Sequence, residues 1–137
     1  MIKTTSLELS KRLYELVPEW NDTHFTWKRL LTHETLKWKD WFLADWNNSV
    51  WDALGEQSIP APDLDWLLDK IAQEDIGVGV RYIQKGGSTS MDLADWYGKY
   101  VAFTPDLRQK DYPVADTPAD AACLLLIKLI EQGIVKV

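Results

Sequence analysis

The residues that could ligate a metal ion are two histidines and one pair of aspartates. His24 and His33 have no cysteine or carboxylate partners at ligand spacing, and His33-Glu34 lacks the second histidine of a helical zinc site. Asp65 and Asp69 lie one turn apart on a predicted helix. They could share a cation, but such a pair more commonly belongs to a solvated helix face. The sequence therefore predicts no metal site.

Two glycine-containing segments could hold a phosphate group. Residues 77–79 (GVG) begin like a dinucleotide fingerprint, but Tyr82 stands where the third glycine is needed, and the segment is β-like. Residues 86–90 (GGSTS) could present backbone N–H groups to an anion, although a Gly-Gly turn between strands also explains them. Neither Ser88 nor Ser90 lies in a Gly-x-Ser-x-Gly motif. We therefore expect no catalytic residues, no cofactor and no enzymatic activity.

Tryptophan is the residue type that stands out, with eight in 137 residues. Trp buries a large apolar area and keeps an N–H that needs a partner. A cluster of tryptophans therefore indicates either a heavily packed core or a surface that grips a partner. Most of them fall in one stretch: Trp20, Trp27, Trp38, Trp41, Trp46 and Trp51.

The leading candidate for a partner-binding position is Trp66. On the predicted second helix it falls opposite the apolar arc, on a charged face with Asp63 and Asp69. An indole on a charged face is costly to leave in water. Two interpretations stay open. In the first, Trp66 is covered by the proline-containing segment before the helix or by the Trp-rich loop. In the second, Trp66 anchors a partner.

Two further aromatic pairs are weaker candidates. Trp38 and Trp41 have the spacing of helical core residues, but they are interleaved with Lys37 and Lys39. A Trp can stack on a base while a neighbouring Lys neutralises a phosphate. A nucleotide-like ligand is therefore an alternative for this pair. The second pair, Trp96 and Tyr97, would point to opposite faces of a strand, so that one of them lies outside the core.

Composition and charge limit the class of protein. The chain has the length of one domain, residues 1–137, and its net charge of −6 argues against non-specific binding to nucleic acid. The longest apolar run, residues 123–127, is far too short to span a membrane, and no signal-peptide pattern opens the chain. We therefore expect a cytoplasmic protein without membrane contact, in which Cys123 is a small buried thiol.

The periodicity predicts helices at both ends of the chain and one in the middle. The first helix begins with Thr5 as its N-cap and ends before Pro18, and the second runs over residues 63–74 with Asp63 as its N-cap. The last helix has Thr117 as its N-cap, Pro118 at its first position, and a Schellman stop at Gly133.

Alternating residues predict the strands. Residues 23–27 form a strand with Phe25 and Trp27 facing inward. A hairpin turn over residues 85–88 separates a strand from Ile76 onward from a strand over residues 90–95, and residues 96–103 form a third β-like run. Residues 28–58 show no clear periodicity, apart from a turn at residues 47–49. The predicted fold class is α+β, a central antiparallel sheet of about three or more strands flanked by helices.

Three segments together resemble a known family: residues 23–27 (THFTW), 59–68 (IPAPDLDWLL) and 117–134 (TPADAACLLLIKLIEQGI). They look like the small phage and prophage proteins of the phage αβα-sandwich type. The resemblance implies a central antiparallel sheet between helices and a phage or prophage origin, with no established chemistry. The Trp-rich segment 38–51 departs from that family and is expected to form a lid or an edge.

The sequence leaves three functions open. The first is a non-enzymatic phage accessory protein that binds a bacterial host protein with a basic surface, as an inhibitor of a defence system such as CRISPR would, with Trp66, Trp38 and Trp41 as anchors. The second is a sponge for a nucleotide-like signal, marked by a pocket in which Trp38, Trp41 or Trp96 meets Lys37, Lys39 or Arg81. The third is a structural or morphogenetic phage component that self-associates.

Overall fold

The structure is a computed structural model that describes residues 4–34, 36–45, 53–84 and 96–137. Within these ranges the chain forms three helices and six strands. The helices are α1 (Leu7–Leu16), α2 (Leu64–Ala72) and α3 (Pro118–Glu131). The strands are β1 (Phe25–Thr32), β2 (Phe42–Asp45), β3 (Ala53–Ala61), β4 (Gly79–Tyr82), β5 (Tyr100–Phe103) and β6 (Val114–Ala115).

The strands form two antiparallel three-stranded sheets, with the order β2-β1-β3 in the first sheet and β4-β5-β6 in the second. The predicted α+β class is therefore confirmed, with the sheet divided in two. In the first sheet Trp27 pairs with Leu43 on one side and Ile59 on the other. In the second, Arg81 pairs with Val101, which in turn pairs with Val114.

The first helix begins one residue later than predicted. Ser6, not Thr5, is the N-cap, because the Ser6 side chain accepts the Leu9 N–H. The Thr5 hydroxyl is buried and donates instead to the Pro62 carbonyl oxygen at 2.8 Å. This bond ties the start of α1 to the end of β3. The helix ends before Pro18, as predicted.

The other two helices have the predicted caps. Asp63 accepts the Trp66 N–H at the start of α2, and Thr117 accepts the Asp120 N–H at the start of α3. Gly133 has a φ of 75°, and the Ile134 N–H donates to the Leu129 carbonyl oxygen. These are the left-handed residue and the long backbone bond of a Schellman motif, which stops α3 where the sequence predicts.

Several strand predictions need correction. The first strand extends to Thr32, well beyond the predicted residues 23–27, and both Phe25 and Trp27 are half-buried. The run predicted over residues 96–103 is a strand only from Tyr100 onward, since residues 96–99 form a turn. The predicted turns at residues 47–49 and 85–88 and the strand over residues 90–95 lie outside the described residues.

The core is built around α3. This helix packs against all three strands of the second sheet and against α1 and α2, and most of its side chains are buried. The first sheet joins this arrangement through contacts between β3 and α1. In the described ranges no helix is long and apolar enough to cross a membrane.

Candidate functional site

The side chain of Trp66 is half-buried beside a second indole ring. Its Nε1–H donates to Asp22 Oδ1 at 3.2 Å, and its ring meets Trp20 edge to face with 6.0 Å between ring centres. Pro60 and Pro62 line the same shallow crevice. Asp22 and Trp20 thus contact the Trp66 side chain, while α2 holds the indole at the protein surface.

A lysine lies over both of these rings. Lys70 Nζ is 5.0 Å from the centre of the Trp20 ring and 5.1 Å from that of Trp66. It also lies 4.0 Å from Asp22 Oδ1, and its side chain is only 18% exposed. Lys70 follows Trp66 by one helical turn, so α2 itself supplies the cation that orders the two indoles.

Three exposed carboxylates lie on α2 or on the segment that contacts Trp66. Asp22, Asp65 and Asp69 are exposed, and Lys70 is the cation among them. We call Trp20, Trp66, Asp22, Asp65 and Asp69 the α2 face. Asp69 lies on this face as predicted. Asp63 has a structural role, because its carboxylate caps α2.

Trp38 and Trp41 do not lie on a helix. Trp38 forms an isolated bridge with Leu31, and Trp41 lies directly before β2. The guanidinium carbon of Arg29 is 5.0 Å from the centre of each of these two rings. The cation between the indoles is therefore Arg29 rather than the expected Lys37 or Lys39.

This stack continues onto the first helix. Lys11 Nζ lies 5.2 Å from the centre of the Trp41 ring, and Arg29 also donates to Gln57 Oε1 on β3. Trp41 is half-buried, whereas Trp38 is 39% exposed. We call Lys11, Arg29, Trp38 and Trp41 the Trp–Arg stack. These contacts hold residues 36–41, which precede β2, against the first sheet. One face of the Trp38 ring stays exposed to solvent.

The second sheet has a cleft on the face opposite α3. The side chains on this face alternate along the strands with those that face the helix. Its walls are the rings of Trp96, Phe103 and Tyr112, and its floor consists of Val101 and Ile83, which are 4% and 6% exposed. Arg81 and Gln109 also line the cleft, which has a volume of about 220 Å³. Sequence reasoning singled out Trp96 and Arg81 but missed Phe103 and Tyr112.

A glycine determines the position of one wall. Gly79 pairs with Phe103 across β4 and β5, and a Cβ at position 79 would overlap the Phe103 ring. The ring thus lies against the bare backbone of β4. It is also 6.3 Å from the ring of Tyr112, which adjoins the 3-10 turn Gln109–Asp111.

Trp96 and Tyr97 occupy the turn before β5, so the alternation expected of a strand does not apply to them. Both are half-buried. Trp96 lines the cleft, and Tyr97 does not. The Gly98 N–H donates to the Ile83 carbonyl oxygen, which joins this turn to the residue after β4.

Two further kinds of reactive group are potential metal ligands and the thiol of Cys123. No group of three or more His, Cys, Asp or Glu side chains in these ranges could hold a metal ion. Cys123 is buried, as predicted, and desolvation raises the pKa of its thiol to about 12. A thiol of this kind is a poor nucleophile at neutral pH.

Comparisons with protein-family models, curated proteins and solved structures give no match to this chain.

Proposed function

We propose that this protein is a non-enzymatic accessory protein that binds a partner protein with a basic surface through the α2 face. The observation that carries the proposal is the fixed pair of half-buried indoles, Trp20 and Trp66, surrounded by exposed carboxylates. Binding hot spots are enriched in Trp at the centre of a patch with a polar rim.

The rings of the α2 face are held before any partner arrives. Trp66 is fixed by its hydrogen bond to Asp22 and by its contact with Trp20, and Lys70 lies over both indoles. A side chain that is already ordered loses little conformational entropy when it is buried in an interface. This arrangement therefore favours Trp66 as an anchor for a partner.

The charge of the α2 face favours a basic partner. Asp22, Asp65 and Asp69 are exposed on this face, and the whole chain has a net charge of −6. Complementary charge increases the association rate and selects partners, and its effect falls as salt is added. We therefore expect the association rate to fall as the salt concentration rises.

The specific form of the proposal is a phage accessory protein that binds and modulates a bacterial host protein, for example as an inhibitor of a defence system such as CRISPR. Its support is the resemblance in the three sequence segments, together with the acidic aromatic surface. The cytoplasm of the host is the compartment that this form of the proposal requires.

Capture from a bacterial lysate tests the proposal. The baits are the wild type, Trp66→Ala, the pair Asp65→Asn/Asp69→Asn, and the control pair Asp106→Asn/Asp116→Asn. The control removes two exposed carboxylates elsewhere, so it has the same net charge as the first pair. A specific protein should be retained by the wild type and the control and lost by the other two.

The lost affinity can then be measured with the purified partner. Trp66→Ala should weaken binding by more than about 2 kcal/mol, the cost of truncating an anchor. Because Trp66 also packs against the core, circular dichroism must show that the variant is folded. The aspartate pair lies on the solvent side of α2 and tests the same face without this complication. Equal retention by all four baits would contradict the proposal.

A second candidate function is capture of a nucleotide-like small molecule. It is favoured by the cleft on the second sheet, which both Trp96 and Arg81 line. The third candidate is self-association as a structural phage component. A monomeric mass in solution would count against it.

A further inference from the structure

The cleft of the second sheet is built on the side of the sheet that α3 does not cover. Ala102 and its neighbours Val80 and Tyr100 pack toward the core around α3. Arg81, Val101 and Phe103 alternate with them and therefore share the opposite face. A concave sheet face that is lined by rings is a typical place for a small-molecule site.

The walls of the cleft provide flat apolar surfaces. Trp96, Phe103 and Tyr112 surround the buried floor side chains Val101 and Ile83. Three rings around an apolar floor favour a planar ring as ligand, because stacked or edge-to-face rings add to the free energy of apolar burial. Stacking of this kind tolerates many ring types.

The polar groups of the cleft have capacity for a ligand. The Arg81 guanidinium is exposed and forms no salt bridge or hydrogen bond within the described part of the chain. Within the same ranges the Trp96 Nε1–H and the Tyr112 hydroxyl have no hydrogen-bond partner either. Among the described residues that line the cleft, Arg81 is the one charged side chain. A carboxylate or a phosphate is the group that a guanidinium recognises best, with two parallel hydrogen bonds.

The size of the cleft limits the ligand. Its volume of about 220 Å³ is below the roughly 300 to 1,000 Å³ of sites for drug-sized molecules. One single or fused ring fits inside, and the rest of a larger molecule must extend past the rim.

We infer that this cleft binds a small molecule with one planar aromatic ring, stacked among Trp96, Phe103 and Tyr112, and one anionic group paired with Arg81. This inference rests on the second candidate function and names its ligand class. It is independent of partner binding at the α2 face, since the cleft lies on the second sheet and α2 does not border it.

Two matched pairs of probes test the inference, with dissociation constants measured by titration calorimetry and ligand-observed NMR. Adenosine monophosphate is compared with adenosine, and indole-3-acetate with indole-3-ethanol, so that each pair differs in charge and shares its ring. The protein variants are Arg81→Gln and Trp96→Ala. The controls are Arg108→Gln, an exposed arginine outside the lining, and Trp38→Ala, an exposed indole of the first sheet.

We expect at least one anionic probe to bind about tenfold more tightly than its neutral partner, as a charge-assisted hydrogen bond provides. Arg81→Gln should remove this difference, and Trp96→Ala should abolish binding of both members of the pair. Arg108→Gln and Trp38→Ala should change neither result. Because Arg81 is exposed, its replacement leaves the core intact.

The possible failures are distinguishable. Equal binding of charged and neutral probes, unchanged in Arg81→Gln, would overturn the anionic ligand class while leaving small-molecule capture in place. No binding of any probe would overturn the inference and the second candidate function together. Neither result would bear on the α2 face, whose residues are unchanged in all of these variants.

Discussion

The indole N–H of Trp66 donates a hydrogen bond to Asp22 Oδ1, at 3.2 Å, across the gap between α2 and the segment that precedes β1. The bond satisfies the one polar group of a side chain whose ring packs against the core. It also keeps an exposed carboxylate beside the ring edge. Trp66 is therefore both part of the core boundary and the centre of an acidic surface.

The contact between the starts of α1 and α3 predicts a sensitive position. Asp120 Oδ1 accepts the Ser6 N–H at 2.7 Å, while the Asp120 N–H donates to Thr117 Oγ1. Asp120→Ala should lower the free energy of unfolding by about 1 to 3 kcal/mol, because a part-buried N–H at the start of α1 loses its acceptor. Urea denaturation measures this, with Asp65→Ala as the control. Equal losses in the two variants would contradict the assigned role.

The Trp–Arg stack predicts that arginine at position 29 cannot be replaced by lysine without cost. A guanidinium plane stacks on two rings at once, whereas an ammonium is a compact point charge. Arg29→Lys should lower the free energy of unfolding by about 1 kcal/mol, the size of one cation–π contact. Arg108→Lys, at an exposed site, should leave it unchanged. Urea titrations of both variants provide the test, and an unchanged Arg29→Lys protein would show that the stack contributes no stability.

The close approach of Gly79 and Phe103 predicts a structural and a binding effect. Gly79→Ala places a methyl group where the Phe103 ring lies, so the ring must move. Because Phe103 is 39% exposed, its ring can move toward solvent, and the cost should be about 0.5 to 1.5 kcal/mol of unfolding free energy, that of an off-rotamer side chain. Chemical shifts of the Phe103 ring should change, and probe binding in the cleft should weaken. Gly77→Ala is the control, because a Cβ there would meet only ordinary contacts. Equal effects at the two positions would argue against the ring as a fixed wall.

The buried thiol predicts a loss of stability at alkaline pH. Burial raises the pKa of Cys123 from its ordinary value of 9.0 to about 12. Between these two values the unfolded chain releases a proton that the folded protein retains, so the free energy of unfolding falls as pH rises. Urea denaturation at neutral pH and at about pH 10 should show a larger fall for the wild type than for Cys123→Ala. Equal falls would mean that the thiol does not contribute.

The helices follow from local chemistry and could be predicted from the sequence. The caps of α2 and α3 use side chains within the same turn, and Gly133 ends α3 with its own backbone. The predicted start of α1 is wrong by one residue, because a contact between residues far apart in the sequence determines it. The Thr5 hydroxyl donates to the carbonyl oxygen of Pro62, which is distant in sequence, so the N-cap is Ser6 instead.

The surfaces were predictable only in part, because they depend on tertiary contacts. The helical periodicity placed Trp66 and Asp69 on one face, but the contribution of Asp22 and Trp20 depends on how the segment before β1 folds back. Arg29 could have been found by extending the alternation of residues 23–27, since Trp27 and Arg29 share a strand face. Phe103 and Tyr112 gave no local signal, because strand pairing brings them together.

The measurement that tests the α2 face most directly is site-specific photo-crosslinking in a bacterial lysate. A benzoylphenylalanine replaces Gln73, the exposed C-cap of α2, and in the control it replaces Gln132, the exposed C-cap of α3. We predict a discrete protein adduct from position 73 that is absent at position 132 and disappears when Asp65→Asn/Asp69→Asn is added. No adduct at position 73, or the same adducts at both positions, would contradict partner binding at this face.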